Sequence, residues 1–323
     1  MENYRRRVIT VLIFFRKSER TRVFPDFYYF IMSVSDSVLD KLEDLLSVLP
    51  IDSKVDELRK LADEAVDKAR SNEDLLSEQD LIRGLELRGD LFRQTGGFDD
   101  AKTDYVEALG LMSSAKNADE GIGRVCTGLA VVHDLNGDSD LAKSFYQRAI
   151  AAFERLTPRP VLDIADISNN LAFIYEAEGD FDKAETFLLG ALKSCHETLG
   201  PDHEQTASLY NNVGSLYFKA EHDERAKEMH ELALEARTKL FGNMHPETAQ
   251  SHGNLALVLV RAGKVNEGKK LFDEALDGFE KDLDSCGDDY EIVAANYRDV
   301  LASMQDDKAV ATLNARLLKK GFS

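Results

Sequence analysis

The chain has 323 residues, and 43% of them are hydrophobic, which excludes a wholly disordered protein. Acidic residues outnumber basic ones by 59 to 40, and the net charge of −19 argues against generic binding to a phosphate backbone, so no nucleic-acid partner is expected. This balance has two interpretations, a surface that keeps the chain dissolved or a partner that is basic or of mixed charge. The three cysteines are odd in number and lack metal-ligand spacing, so they predict a reducing compartment.

Residues 1–31 differ from the rest of the chain in charge. They carry seven basic and three acidic residues, a balance of +4, whereas the remainder carries 33 basic and 56 acidic residues, a balance of −23. The apolar run Val8–Phe15 is too short to span a bilayer, and no small-residue cleavage site follows it. Two interpretations remain open. The segment is a basic, aromatic anchor on a membrane surface, or it is a non-native or disordered extension before a natural start at Met32, which we favour.

Residues 32–76 predict a pair of amphipathic helices. Apolar residues recur at helical spacing from Val38 to Leu49, and Pro50 ends this first helix. A second apolar stripe runs from Val55 to Ala69. Because the pair lies one period before the first clear repeat, we expect it to form N-terminal capping helices.

Five helix–turn–helix repeats are predicted over residues 77–289. The third is the clearest: the stretch NNLAFIYEAEGDFDKAETFLLGA (169–191) has a turn at Gly179 between two helices whose small residues allow close approach. Ser77 and Asp80 predict a capping box at the start of the first repeat. Residues 290–323 keep Asn296 but lose the glycine turn, so they predict a degenerate C-terminal repeat or cap. One small residue starts the second helix of each repeat, at intervals of 41, 42, 42 and 42 residues: Ala101, Ala142, Ala184, Ala226 and Gly268.

This order of residues resembles the tetratricopeptide repeat, whose usual unit has 34 residues rather than 42. The resemblance implies an all-α fold, a right-handed α-solenoid of helix–turn–helix repeats. The related turns LGPDHEQTA (199–207) and FGNMHPETA (241–249), followed by NN or GNLA, resemble the kinesin light chain type of repeat over about residues 80–300. No sustained heptad pattern precedes the repeats. The compact arrangement is therefore most similar to the bacterial kinesin-light-chain-like proteins that accompany bacterial tubulins.

One asparagine recurs on every first helix from the third repeat onward, and two neighbours double the row. Helix geometry turns these side chains away from the core, so we predict that they line an inner groove. An amide offers two donors and an acceptor, which suits binding of an extended peptide backbone, and in the light-chain repeats that this row resembles the corresponding asparagines contact bound peptide. The alternative is a ladder of asparagines bonded to one another between repeats. The residues are Asn169, Asn170, Asn211, Asn212, Asn254 and Asn296.

Apolar and cationic residues are predicted on the same face. Apolar pockets flanked by cations would accept an acidic or hydrophobic segment; the alternative is an ordinary solvated face. The residues are Arg83, Arg124, Phe173, Ser215, Phe218, Lys219, Leu257 and Arg261.

The sequence contains no glycine-rich phosphate loop, no metal-ligand set and no nucleophile paired with a base, so we predict no enzymatic activity, cofactor or metal. His203 and His245 fall in turns between repeats, where a capping or turn role is expected. The expected function is a cytoplasmic protein-interaction scaffold that binds a cytoskeletal polymer such as bacterial tubulin. Alternatives are a peptide adaptor or secretion-type chaperone, or a regulatory subunit of a separately encoded signalling enzyme.

Overall fold

The structure is a computed structural model that describes Leu39, Leu42 and residues 55–71, 77–113 and 118–322. Within these residues every regular element is a helix and no strand occurs. The expected all-α class is therefore confirmed. The expectations for residues 1–31, including the choice between an anchor and a non-native start, lie outside the described residues.

The part of the chain that the structure describes from residue 55 onward contains thirteen helices in two compact units, one that ends at Pro160 (unit 1) and one that begins at Val161 (unit 2). After α1, successive helices form pairs, each made of a first and a second helix. In unit 1 the helices are α1 Val55–Ser71, α2 Glu78–Gln94, α3 Phe98–Met112, α4 Asp119–Leu135 and α5 Ser139–Phe153. In unit 2 they are α6 Val161–Ala177, α7 Phe181–Leu199, α8 Glu204–Lys219, α9 Asp223–Phe241, α10 Pro246–Arg261, α11 Val265–Phe279, α12 Leu283–Ser303 and α13 Asp307–Lys319.

In all six described pairs, three residues connect the first helix to the second, and the middle one adopts positive φ. The residue after it closes the turn by donating its backbone N–H to a carbonyl five positions earlier, as from Asp180 to Tyr175 at 2.8 Å. This is the hydrogen bond of a Schellman ending, which requires a left-handed residue. The middle residues are Gly96, Gly137, Gly179, Glu221, Gly263 and Gln305.

Two pairs lack the glycine but keep the turn: the pair α8 and α9, with Glu221, and the last pair, α12 and α13, with Gln305. Glu221 adopts a φ of 61° and Gln305 a φ of 59°, in the left-handed region that residues with side chains rarely occupy. The closing hydrogen bond from Asp306 to Leu301 measures 3.1 Å. The turn geometry is therefore imposed by helix pairing even where the residue does not favour it.

Small residues let the two helices of each pair approach closely. Ala101, Ala142, Ala184 and Ala226 are fully buried. At Gly268, a Cβ would lie 2.6 Å from the Val260 Cγ2 and 2.9 Å from a backbone carbonyl oxygen of the first helix, so alanine would not fit without a shift. The period of about 42 residues seen in the sequence therefore marks the points of closest contact within pairs.

A large side chain on the second helix fills the space beside a glycine of a first helix. In unit 1, a Cβ at Gly128 would lie 2.5 Å from the Tyr105 ring; in unit 2, a Cβ at Gly214 would lie 2.8 Å from His230. His230 is 1% exposed, and burial, helped by the charge of Arg237, lowers its pKa to about 4. At neutral pH this histidine is therefore an uncharged core residue.

Side chains cap the starts of several helices. Ser77 and Asp80 form the capping box predicted from the sequence. The Nδ1 atoms of His203 and His245 accept hydrogen bonds from the backbone N–H groups of Gln205 and Glu247, at 3.1 and 3.2 Å. Both turn histidines thus satisfy amides that the helix start would leave unpaired.

The C-terminal pair packs on the preceding one through charged and aromatic contacts. Arg316 on α13 donates to Glu280 at 2.7 Å and to Asp277 at 2.5 Å on and just after α11. The Tyr297 ring on α12 lies 4.9 Å from the Phe272 ring on α11. Leu313 and Leu317 on α13 are buried as well. Together, these residues make α12 and α13 the last described helix pair of unit 2, with α12 as its first helix.

Replacing Gly179 by alanine should lower the free energy of unfolding by about 1 kcal/mol, because a side chain at positive φ is strained. No described atom lies within 4 Å of a Cβ at this position, so the cost is conformational rather than steric. Gly190→Ala is the matched control, since Gly190 has equal space but lies inside α7, where alanine should stabilise by about 0.5–1 kcal/mol. Urea denaturation measures both, and shifts in the same direction would contradict the turn assignment.

Candidate partner-binding face

The residues predicted for partner binding lie mainly on α6, α8, α10 and α12, the four first helices of unit 2, which are neighbours in that order. We call the outward sides of these helices the first-helix face. Asn170, Asn212, Asn254 and Asn296 are half-buried there, whereas Asn169 and Asn211 are only 4% and 6% exposed. The other predicted residues on this face are half-buried (Phe173, Ser215, Phe218 and Leu257) or exposed (Lys219 and Arg261).

The asparagines form hydrogen bonds between consecutive repeats. Asn212 Nδ2 donates to Asn169 Oδ1 at 2.7 Å, and Asn254 Nδ2 donates to Asn211 Oδ1 at 2.8 Å. The buried asparagine of one repeat thus accepts from the half-buried asparagine of the next. This is the ladder that the sequence left open as an alternative.

The ladder does not use the whole capacity of the row. An amide has two N–H donors and an acceptor oxygen, and each donating asparagine contributes one N–H to the bonds above. Asn170 and Asn296 make no side-chain hydrogen bond within the described part of the chain. Gly253 stands where Asn211 stands one repeat earlier, and Val293 occupies the space beside it, which removes the acceptor that Asn296 would need. The row therefore keeps groups that can bind a ligand.

The cations of the face are paired with acids, unlike the open cationic flanks expected from the sequence. Lys219 forms an ion pair with Glu176, 43 positions earlier in the preceding repeat. Arg261 pairs with Asp223, donates to the Phe218 carbonyl oxygen at 2.7 Å, and lies over the Phe218 ring at 3.5 Å from its centroid. These cations join repeats, and their charges are balanced locally.

The cations predicted on the first helices of unit 1 are also paired with acids or otherwise engaged. The exposed Arg124 on α4 donates to the buried Glu86 on α2, through Nη2 at 3.1 Å, and to Glu120 at 2.7 Å. Arg83 is half-buried and also engaged. Burial raises the pKa of Glu86, and the Arg124 hydrogen bond opposes this. The predicted cations of unit 1 are therefore committed as well.

Two polar contacts between repeats were not predicted. Gln205, 4% exposed, donates to Asp166 at 2.6 Å, and burial raises the pKa of Asp166 to about 6. One repeat later, the guanidinium of the buried Arg237 donates to two groups of Glu247. It contacts the Glu247 carboxylate at 2.7 Å and the Glu247 backbone carbonyl oxygen at 2.9 Å. The sequence signal was present, because polar residues recur every 42 positions at Gln205, Glu247 and Asp289.

The described residues contain no group of three or more side chains suited to hold a metal ion. Cys126, Cys195 and Cys286 are free and buried, and burial raises the pKa of each thiol to about 11. They are protonated at neutral pH and form no disulfide. None of the described helices combines the length and the apolar character needed to cross a membrane.

Comparison with known proteins identifies the repeat family. A family model for the tetratricopeptide repeat matches residues 163–239, which span α6 to α9. Residues 163–239 are therefore tetratricopeptide repeats, and the all-α helix pairs of the described residues have the fold of this repeat. The family describes a fold typical of non-catalytic scaffolds and indicates no enzymatic class. No curated protein sequence matches the chain at a significant level.

Solved structures share the fold of this chain. BtubC (BKLC) from P. vanneervenii is 28% identical, covers 72% of this chain and 92% of its own, and has a TM-score of 0.61. The nearly identical TPR-like repeats of a Podosopora anserina protein designated a kinesin light chain are 17% identical, cover 62% and 95%, and score 0.53. Aspartyl phosphate phosphatase F from Bacillus subtilis is 11% identical, covers 90% and 68%, and scores 0.60; the last two show the fold alone. The predicted kinesin light chain type of repeat is confirmed.

Replacing Asp166 by asparagine should stabilise the protein at neutral pH. The native carboxyl has a pKa of about 6, above the value of about 3.9 in an unfolded chain. Its ionisation therefore costs stability as pH rises from about 4 through about 6. We expect Asp166→Asn to raise the free energy of unfolding by about 1–2 kcal/mol at pH 7.5 and by clearly less at pH 4.5.

Urea denaturation at both pH values measures this difference. Glu197→Gln, at an exposed position on α7, is the control for removal of a negative charge. A gain from Asp166→Asn that is equal at both pH values would contradict the argument from burial.

Proposed function

We propose that the chain is a non-catalytic cytoplasmic scaffold that binds a protein partner through the first-helix face of unit 2. The finer proposal is that this partner is a cytoskeletal polymer of the bacterial tubulin kind. The observation that supports this binding site is the asparagine row. Its amides keep N–H and C=O groups that form no hydrogen bond with another described residue, and they lie beside the half-buried Phe173, Phe218 and Leu257. The similarity to BtubC over 92% of its length supports the choice of polymer.

The chemistry of the row suits a peptide backbone. An extended segment presents N–H and C=O groups at regular intervals, and it offers them whatever its side chains are. Amides repeated at the 42-residue period can donate and accept along such a segment, while the neighbouring apolar side chains receive its side chains. The extended backbone of the partner would therefore provide most of the recognition, and its side chains would contribute less.

The ladder and the binding role support each other. Asn169 and Asn211 each hold one N–H of the next repeat's amide, which fixes the orientation of Asn212 and Asn254. Fixed side chains lose less rotamer entropy when a ligand binds. The hydrogen bonds between repeats thus prepare the row for the partner.

The other functions considered from the sequence use the same surface. A peptide adaptor or chaperone would bind its ligand on the first-helix face, and a regulatory subunit would dock its enzyme there. The similarity to a phosphatase shows the fold alone and does not favour regulation of an enzyme. Because these functions share one surface, a binding experiment with the polymer is needed to distinguish a cytoskeletal partner from a peptide or an enzyme.

We expect Asn170→Ala combined with Asn296→Ala to weaken co-sedimentation with bacterial tubulin filaments by about tenfold or more. Each lost amide bond is worth about 0.5–1.5 kcal/mol, and about 1.4 kcal/mol corresponds to a factor of ten. Neither side chain bonds to another described residue, so circular dichroism and the melting temperature should change little.

Asn266→Ala is the matched control, because Asn266 is exposed on the second helix α11. A double variant that pellets like the unaltered chain would reject the first-helix face as the binding site. An unaltered chain that stays in the supernatant would reject the polymer as the partner.

A further inference from the structure

The outward side of α12 ends the first-helix face, and nothing in the described residues covers it. Ile292 is 51% exposed there. Asp288, Ala295 and Asp299 are exposed on the same side, since steps of four, three and four residues return to one helix face. The opposite side is buried, through Tyr290, Val293, Ala294, Tyr297 and Leu301.

Ile292 departs from the pattern of its row. The equivalent positions in the three preceding repeats hold Asp166, Ser208 and Gln250, all polar. Two of these side chains take part in contacts between repeats, from Gln205 to Asp166 and from Arg237 to Gln250. No described first helix follows α12, so Ile292 takes no part in such a contact and its side chain is exposed. A single exposed apolar residue is ordinary, so the chemistry of the site depends on the charges around it.

The charges beside Ile292 are negative. Asp288 and Asp299 form no ion pair with any described residue. Asp289 is half-buried next to them; its pKa is raised by burial and then by the charges of Glu247 and Asp288. Arg237 is the cation that opposes this, and it is buried against Glu247.

Among the described residues of the first-helix face, every cation is already engaged, so none balances these acids. Lys219 and Arg261 are paired with Glu176 and Asp223. Arg298, the cation of α12 itself, is half-buried at the border of the outward side and already engaged. The exposed end of the first-helix face therefore carries unbalanced negative charge on both sides of one apolar side chain.

We propose that this end of the face binds a segment of the partner protein in which an apolar residue is flanked on both sides by lysine or arginine. The inference rests on the proposed scaffold function and names the chemistry of the segment. It agrees with the basic or mixed-charge partner that the net charge suggested, and it differs from the acidic segment that the cations suggested, since those cations are committed to ion pairs.

The helix sets the spacing of such a segment. Asp288 and Ile292 are separated by about 6 Å along the axis, and Ile292 and Asp299 by about 10 Å, at about 1.5 Å per residue. An extended chain advances about 3.3 Å per residue. The matching segment has one cation two positions from the apolar residue and another three positions away on the other side. The free Asn296 amide lies between Ile292 and Asp299 in the helix, where it can bond to the segment's backbone.

Two synthetic fluorescent peptides test the proposal by anisotropy with the full chain. Both have one leucine in a serine background; one carries lysines at the two flanking positions and the other glutamates. We expect the lysine peptide to bind at least about tenfold more tightly, with a preference that falls as salt is added. Asp288→Lys combined with Asp299→Lys should reverse the preference. Ile292→Ser should weaken the lysine peptide's binding without changing its sensitivity to salt.

Glu197→Lys combined with Glu228→Lys is the control, since both residues are exposed on second helices and the change in net charge is the same. The control should keep the preference for lysine. Equal binding of the two peptides, binding of neither, or a preference that survives the reversal at Asp288 and Asp299 would overturn the inference. These outcomes depend on Asp288, Ile292 and Asp299, which the filament test leaves unaltered, so each proposal can fail without the other.

Discussion

The close approach of the two helices in each pair is the constraint on which the rest of the structure depends. It requires a three-residue turn with a left-handed middle residue and a small residue where the second helix begins. Glu221 and Gln305 adopt that conformation without being glycine, so the pairing outweighs a local cost of about 1–2 kcal/mol. Once this geometry is fixed, every first helix presents the same positions outward, and equivalent residues of successive repeats become neighbours.

The polar contacts between consecutive helix pairs lie at equivalent positions of the repeats, but different residue types form them at each interface. Asp166 and Gln205 share a carboxylate–amide bond at one step, and at the next the buried Arg237 is bound by Glu247, Gln250 and Ser251. Both are partly or fully buried polar contacts, and breaking either would leave an unsatisfied group. The asparagine bonds run beside them at both steps. Each interface is therefore specific to its own pair of repeats, which fixes the order in which repeats pack.

The sequence was sufficient for features that depend on local rules. Helix pairs, the capping box at Ser77 and the buried alanines all follow from spacing and turn chemistry over a few residues. It also brought the asparagines together in one row, because a period of 42 makes equivalent positions adjacent. It was not sufficient for Lys219 with Glu176 or Arg261 with Asp223, since the rotation between repeats decides which side chains meet. His230 was missed because its burial depends on Gly214, a residue of the other helix.

The pairing of the cations changes the electrostatic character of the first-helix face. From the sequence, Lys219 and Arg261 beside aromatic residues predict a surface for an acidic or hydrophobic segment. In the structure each has a carboxylate within its reach on an adjoining helix, so a partner would have to compete with an intramolecular acid for each cation. Exposed ion pairs are weak individually, yet they remove the net positive charge that would attract an acidic segment from a distance. What remains for recognition is the amide row, the apolar side chains, and carboxylates without partners at the end of the array. In such a chain, the charge available to a partner comes from those side chains that form no ion pair between repeats.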